Sequence, residues 1–110
     1  MILFHSEQIK PILEGRKTET RRFWKDERPR VRVGGVYQAR TRMLDKSSTF
    51  AHLLVKELRW EPLDEMTDSD AQKEGYANLA EFKKAFMQIL KINYWLSNEM
   101  VWVVGFEVMP

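Results

Sequence analysis

The chain of 110 residues contains no cysteine and only two histidines, His5 and His52. Without cysteine the protein can form neither a disulfide framework nor a thiolate metal site. Two isolated imidazoles also make a histidine-based metal site a poor expectation, so we expect neither a metal nor a cofactor.

Long apolar runs are also missing. The apolar stretch at residues 1–4 turns polar at His5 and is too short for the core of a signal peptide. No run approaches the ~20 apolar residues of a transmembrane helix, so we expect a cytoplasmic protein without membrane contact. The length suits one hydrophobic core, and residues 1–110 are predicted to form a single domain, a monomer or weak homo-oligomer.

The formal net charge of +2 conceals two segments of opposite sign. Between Arg16 and Arg32, eight basic residues accompany three acidic ones, a local net charge of +5. Between Glu57 and Glu81, eight acidic residues accompany two basic ones, a local net charge of −6. Either segment can be a solvated face. For the basic one we favour binding of a polyanion, because clustered lysine and arginine are the electrostatic footprint of nucleic-acid contact.

The run of residues 15–22 is the most charged part of this basic segment. Five of its eight side chains are ionised and two carry hydroxyls. Threonines favour an extended chain, and guanidinium groups between them can hold an anion. A nearby lysine can also activate a hydroxyl as a nucleophile. Three interpretations of this run are therefore open: it binds an anion, it catalyses a reaction, or it is only a solvated surface.

Hydrophobic periodicity predicts an α+β domain. Residues 1–4 form a buried strand, Ser6 caps a helix that ends at Gly15, and an extended segment begins at Thr18. Residues 23–35 form a long exposed loop. Strands over 36–42 and 50–60 should pair antiparallel, and the apolar strand 101–108 should lie centrally, with Trp102 in the core. Further helices are predicted from Thr67 or Asp68 to Gly75 and from Asn78 to Leu90. Six strand candidates and three helices favour a mixed or barrel-like sheet.

This order of motifs resembles the ASCH domain family over almost the whole chain. The sharpest match is Gly-Arg-Lys-Thr at residues 15–18, followed by the pair Arg21-Arg22. A Gly-Val-Tyr strand start at 35–37 and Glu-Gly-Tyr at 74–76, before the helix that carries Phe82, agree with it. The resemblance implies a PUA-like fold, a small mixed β-barrel with flanking helices, and a cleft for RNA or nucleotides.

One branch of that family hydrolyses the acetyl amide of 4-acetylcytidine with a lysine, a threonine and a glutamate. The resemblance places these catalytic roles on Lys17, Thr20 and Glu74. This chain differs in its Arg21-Arg22 pair and its longer loop at 23–34. In a regular strand, residues three apart project to opposite faces. Lys17 and Thr20 can therefore meet only if Lys17 lies in the turn after Gly15 or a bulge shifts the alternation. Otherwise Lys17 is a solvated helix-end cation and Glu74 a surface acid.

Three functions stay open from the sequence, and whether the protein is an enzyme stays open with them. The first is an RNA- or nucleotide-binding domain, with Trp24 as a platform for base stacking. The second is an amidohydrolase in which burial or neighbouring arginines lower the pKa of Lys17. A ribonuclease ranks third because the chain has no histidine pair suited to acid–base catalysis. The residues expected to contact nucleic acid are Arg16, Lys17, Arg21, Arg22, Trp24, Arg28, Arg30 and Arg32.

Overall fold

The fold is built on a mixed sheet of five strands, rather than the six that the sequence suggested. A computed structural model describes residues 1–110. Its strands are β1 (Ile2–Leu3), β2 (Glu19–Arg22), β3 (Val36–Arg40), β4 (Thr49–Pro62) and β5 (Met100–Val108). They lie in the order β1-β3-β4-β5-β2, and only β1 and β3 are parallel. Register shifts in β3 and β4 interrupt the pairing and bend the sheet into a half-barrel. The expected α+β class with a mixed, barrel-like sheet is thereby confirmed.

Three α-helices flank the sheet: α1 (Ile9–Leu13), α2 (Asp68–Lys73) and α3 (Leu79–Leu90). Thr67 caps α2 and Asn78 caps α3, each side chain accepting a hydrogen bond from the backbone N–H three residues on. Both caps agree with the sequence. No helix combines the length and the apolar character that crossing a membrane requires.

The start of the first helix differs from the prediction. Residues Ser6–Gln8 form a 3₁₀ turn before α1, and His5 rather than Ser6 is its N-cap. Pro11 explains the difference, because it has no N–H and removes the α-helical hydrogen bond to the carbonyl four residues earlier. Without that bond the chain winds more tightly, and the N–H of Gln8 donates to the carbonyl of His5 at 2.9 Å.

Two groups of apolar side chains cover opposite faces of the sheet. Alternate residues of a strand point to opposite faces. Val104 and Phe106 of β5 accordingly join the main core, and Val101 and Val103 pack towards α3. Trp102, expected in the core, is instead half-buried, and its ring lies 5.0 Å from that of Trp60 between centroids. Strand β2 is the edge strand beside β5, and the charged run lies there between the two groups.

Candidate functional site

A tight turn after α1 determines where Lys17 lies. Gly15 has a φ of +79°, which a residue with a side chain rarely adopts, and it allows the chain to reverse. The backbone N–H groups of Arg16 and Lys17 then both donate to the carbonyl of Pro11, at 2.9 and 3.0 Å. The N–H of Thr18 donates to the carbonyl of Lys73 at 2.7 Å. Lys17 therefore lies outside strand β2, in the turn, and strand alternation does not constrain its side chain.

The end of α2 meets this turn at Glu74. Glu74 is the C-cap residue of α2, and Gly75 follows with a φ of +95°. Lys17 and Glu74 form an isolated β-bridge between the two segments. A Cβ at position 75 would lie 3.3 Å from the Cβ of Lys17. Glycine at 75 thus allows both the left-handed turn and the close approach of the two chains.

Lys17 and Glu74 form a buried ion pair. The Lys17 side chain is 1% exposed and that of Glu74 4%. Lys17 Nζ lies 2.8 Å from Glu74 Oε1, 3.3 Å from the Glu74 carbonyl and 3.0 Å from the carbonyl of Glu19. An ammonium group has three N–H donors, and each has an acceptor here. The last of these acceptors belongs to the peptide that leads into Thr20, so the ammonium lies next to the Thr20 backbone.

Two more buried charges complete the cluster. Arg21 Nη1 lies 3.1 Å from Glu74 Oε2 and 3.4 Å from Glu19 Oε1. Arg59 of β4, which is half-buried, reaches Glu19 Oε2 at 3.3 Å. We call the four fully buried members the ion cluster: Lys17, Glu19, Arg21 and Glu74. Its two cations and two carboxylates balance, which is the condition under which charges are tolerated in a protein interior.

Burial lowers the pKa of Lys17 below its usual value, because the ammonium has lost its contact with water. The Glu74 carboxylate opposes this shift through its charge and its hydrogen bond. The guanidinium groups of Arg22 and Arg21 add to the lowering by charge repulsion. The sequence anticipated both burial and neighbouring arginines as causes. It did not anticipate that Glu74 would hold the same ammonium.

A small cavity of about 90 Å³ opens beside the ion cluster. That is room for a few water molecules, since one water needs about 10–15 Å³ of such space. Thr20, Glu74 and Tyr76 line it, together with Phe82 of α3. Burial raises the pKa of the Tyr76 hydroxyl, and the Glu74 charge raises it further. Thr20 and Glu74 therefore line the same cavity. Lys17 does not line it, but its ammonium group donates a hydrogen bond to Glu74, which does.

Two arginine donors at the cavity wall lack partners. Arg21 Nη2 and Arg22 Nε are buried without a hydrogen bond. Asp70 Oδ1 lies 3.9 Å from Arg21 Nη2, which is too far for a hydrogen bond. Arg22 does donate through Nη2 to the carbonyl of Leu3 at 2.7 Å, and its guanidinium lies 5.0 Å from the centre of the Phe4 ring. Both residues line the cavity, but these two donor atoms are covered by other protein atoms in this conformation.

The residues expected to contact nucleic acid separate into two groups. Lys17 and Arg21 are buried and paired with carboxylates, so they do not present their charges to a phosphate in this conformation. Arg22 and Trp24 are half-buried, and Trp24 packs against the main core. The exposed members are Arg16, Arg28, Arg30 and Arg32. Arg16 is paired with Glu14 at 2.7 Å, and the other three lie in the loop that follows β2.

Sequence reasoning missed Glu19 and Arg59 as parts of this site. The local sequence pattern assigned neither residue to a site. The register of the sheet brings them together, because β5 lies between β2 and β4 and pairs with both. The two residues are 40 positions apart in sequence, so no local pattern could have linked them.

No protein-family model and no curated protein matches this sequence. The similarity lies in the structure. The chain resembles the crystal structure of an ASCH domain from Lactobacillus crispatus with a TM-score of 0.69 and 14% identity, covering 91% of this chain and 69% of the other. It also resembles a DUF984 protein from Enterococcus faecalis, with a TM-score of 0.63 and 18% identity over 94% and 67% of the two chains. These likenesses establish an ASCH-like fold.

Proposed function

We propose that this ASCH-like domain binds RNA or a nucleotide, with a polar group of the ligand at the cavity beside Thr20. The observation that carries the proposal is the cavity itself, whose wall Thr20 shares with the side chains of Arg21 and Arg22. Arg21 Nη2 and Arg22 Nε have no hydrogen-bond partner within the protein, and an unmade bond of a buried polar group costs about 1–3 kcal/mol. Both atoms are covered in this conformation, so a shift of either side chain brings the donor to a carbonyl or phosphate oxygen of a nucleotide in the cavity.

The exposed arginines give the ligand its electrostatic attraction. Arg16, Arg28, Arg30 and Arg32 reach solvent on the turn and loop on either side of β2. When a protein binds a nucleic acid, the logarithm of the affinity falls linearly with the logarithm of the salt concentration. For a single strand, each phosphate that a cation neutralises adds about 0.7 to the steepness of this fall. With four such contacts, the affinity should fall about fiftyfold between 50 and 200 mM salt.

Substitution of Thr20 tests where the ligand binds. Thr20→Leu adds bulk at the buried cavity wall, and circular dichroism of the variant would check that it still folds. We expect the affinity for a fluorescent RNA oligonucleotide to weaken about tenfold or more, the range that losing one buried ligand contact produces. Thr18→Leu is the matched control, since Thr18 lies two residues earlier and outside the cavity wall. Equal affinities of the two variants, or binding that salt does not weaken, would exclude the proposal.

A second candidate function is hydrolysis of the acetyl amide of 4-acetylcytidine. The 2.8 Å contact between Lys17 and Glu74, next to Thr20, favours it. The Thr20 hydroxyl would attack the acetyl carbon and pass its proton to the Lys17–Glu74 pair. The C–N bond then breaks as the pair returns a proton to the departing amine, which releases cytidine. Water would hydrolyse the acetyl ester left on Thr20, releasing acetate and restoring the hydroxyl.

Hydrolysis ranks second because every N–H of the Lys17 ammonium already has an acceptor. Lys17 can act as a base only after a proton moves along the short bond to Glu74, a transfer that the lowered pKa of Lys17 assists. Incubation with 4-acetylcytidine, followed by chromatography for cytidine, tests this function. Lys17→Gln and Thr20→Val should abolish turnover and Thr18→Val should retain it. A wild-type protein that releases no cytidine excludes it.

The ribonuclease alternative gains no supporting contact from the structure. His5 lines the cavity, whereas His52 is exposed on β4 and pairs in register with Gln38 of β3. The two imidazoles are therefore not arranged around one reacting centre.

A further inference from the structure

Arg22 forms part of the wall of the cavity and of two open grooves beside it. The first groove, of about 450 Å³, is here named the Thr41 groove. Its wall includes Leu3, His5, Ser6, Arg22, Thr41 and Arg42. The second, of about 430 Å³, is the Trp24 groove. Its wall includes Met1, Leu3, Arg22, Trp24, Arg30 and Met43.

The three spaces are neighbours that share lining residues. The cavity and the Thr41 groove share His5 and Arg22. The Thr41 groove and the Trp24 groove share Leu3 and Arg22. A ligand that occupies the cavity and is longer than it therefore has the two grooves within reach, on the other sides of Arg22. Each groove falls within the roughly 300–1,000 Å³ of small-molecule sites, whereas the cavity alone is far smaller.

The grooves have the chemistry of a nucleic-acid strand site. Two arginines line each of them, Arg22 with Arg42 and Arg22 with Arg30, and no carboxylate lines either. Arg42 is exposed and paired with Asp45 at 2.6 Å, so a phosphate would have to share or replace that partner. The Trp24 groove adds an indole ring and the thioether of Met43, which is 56% exposed. Aromatic surfaces beside guanidinium groups are how proteins hold successive unpaired bases and the phosphates between them.

We infer that the ligand of the proposed site is single-stranded RNA rather than a free nucleotide. One nucleotide meets the cavity and its neighbours lie in the Thr41 and Trp24 grooves. Arg42 and Arg30 contact the phosphates, and a base stacks on Trp24. This inference rests on the proposed function, because the cavity beside Thr20 defines where the strand begins. An acidic peptide would match the arginines, but it would leave the indole surface of Trp24 without a flat partner.

The dependence of affinity on strand length tests the inference. Isothermal titration calorimetry would compare cytidine monophosphate with the trinucleotide CpCpC at one salt concentration. We expect the trinucleotide to bind about tenfold more tightly or better, because one stacked base alone contributes a factor of this size.

Arg30→Gln should remove most of this gain without changing the affinity for the mononucleotide. It should also lower the salt slope for the trinucleotide by about 0.7, the contribution of one phosphate contact to a single strand. Lys84→Gln is the matched control, because it removes one exposed positive charge on α3, outside the cavity and both grooves. Met43→Glu, at an exposed position where folding tolerates charge, should weaken the trinucleotide and spare the mononucleotide.

Three results would overturn the inference. Equal affinity for the mononucleotide and the trinucleotide would show that the grooves do not contribute to binding, and it would not contradict the proposed function. If the protein bound neither the mononucleotide nor the trinucleotide, both the proposed function and this inference would be wrong. Binding of hexaglutamate as tightly as CpCpC, with the same loss in Arg30→Gln, would show that the grooves take an acidic peptide instead.

Discussion

Replacing Glu74 by glutamine should destabilise the fold strongly. Glu74 neutralises two cations at once, with Lys17 Nζ at 2.8 Å and Arg21 Nη1 at 3.1 Å. Both cationic side chains are almost completely buried, so water cannot replace the lost carboxylate charge. Glutamine keeps the shape and one carbonyl acceptor but removes the charge. Breaking a buried ion pair from one side costs about 3–5 kcal/mol, because the other charge stays buried and uncompensated.

That loss is large against a typical total stability of about 5–15 kcal/mol. At about 4 °C for each kcal/mol, it corresponds to a fall in Tm of about 12–20 °C. Urea unfolding followed by tryptophan fluorescence and circular dichroism measures it, with an unchanged m-value as the sign that the unfolded state is the same. Glu99→Gln is the matched control, since Glu99 is exposed and should change stability by no more than about 0.5 kcal/mol.

The double variant Lys17→Met with Glu74→Gln isolates the pair itself. Removing both charges leaves no unpaired ammonium, so the double variant should be more stable than the sum of the two single losses predicts. Arg21 keeps Glu19 as a partner at 3.4 Å in that variant. A loss of less than about 1 kcal/mol in Glu74→Gln, similar to the control, would refute the reasoning, because it would mean that water screens the ion cluster.

Two further predictions concern the same junction. Gly75→Ala should lower the free energy of unfolding by more than Gly34→Ala, as urea titration would measure. Both glycines have positive φ, but only at Gly75 would the new Cβ crowd Lys17, and equal losses would contradict the close approach. Raising the pH towards 10.5 should stabilise the wild type relative to Lys17→Met. The folded pKa of Lys17 lies below its unfolded value of 10.5, so within that window the unfolded state binds more protons and stability rises with pH. A constant difference between the two proteins across this range would contradict it.

Short sequence signals predicted the structure correctly wherever a single residue determines the local backbone geometry. Gly15 after the last apolar residue of α1 predicted the turn, and that turn placed Lys17 outside the strand. Thr67 and Asn78 predicted the starts of α2 and α3 for the same reason, since a side chain that caps a helix acts within three residues.

Burial of the charged run could not be predicted from the sequence. Every side chain of β2 is charged or carries a hydroxyl, so strand alternation gives no sign of which positions are buried. The partner that makes burial possible for Lys17 is Glu74, 57 residues away. An ion pair at that separation has no periodic signature. The arginines that should have formed a uniform anion-binding surface therefore divide between a buried ion cluster and an exposed loop.

An NMR titration tests most directly whether the cavity beside the ion cluster is the ligand site. Two-dimensional ¹H–¹⁵N spectra would be recorded as cytidine monophosphate and then CpCpC are added to the protein. Binding at the cavity should shift the backbone amide signals of Thr20, Arg22, Gly75 and Tyr76. Shifts confined to the exposed loop at residues 25–32, with the signals of residues 15–22 and 74–76 unchanged, would contradict it.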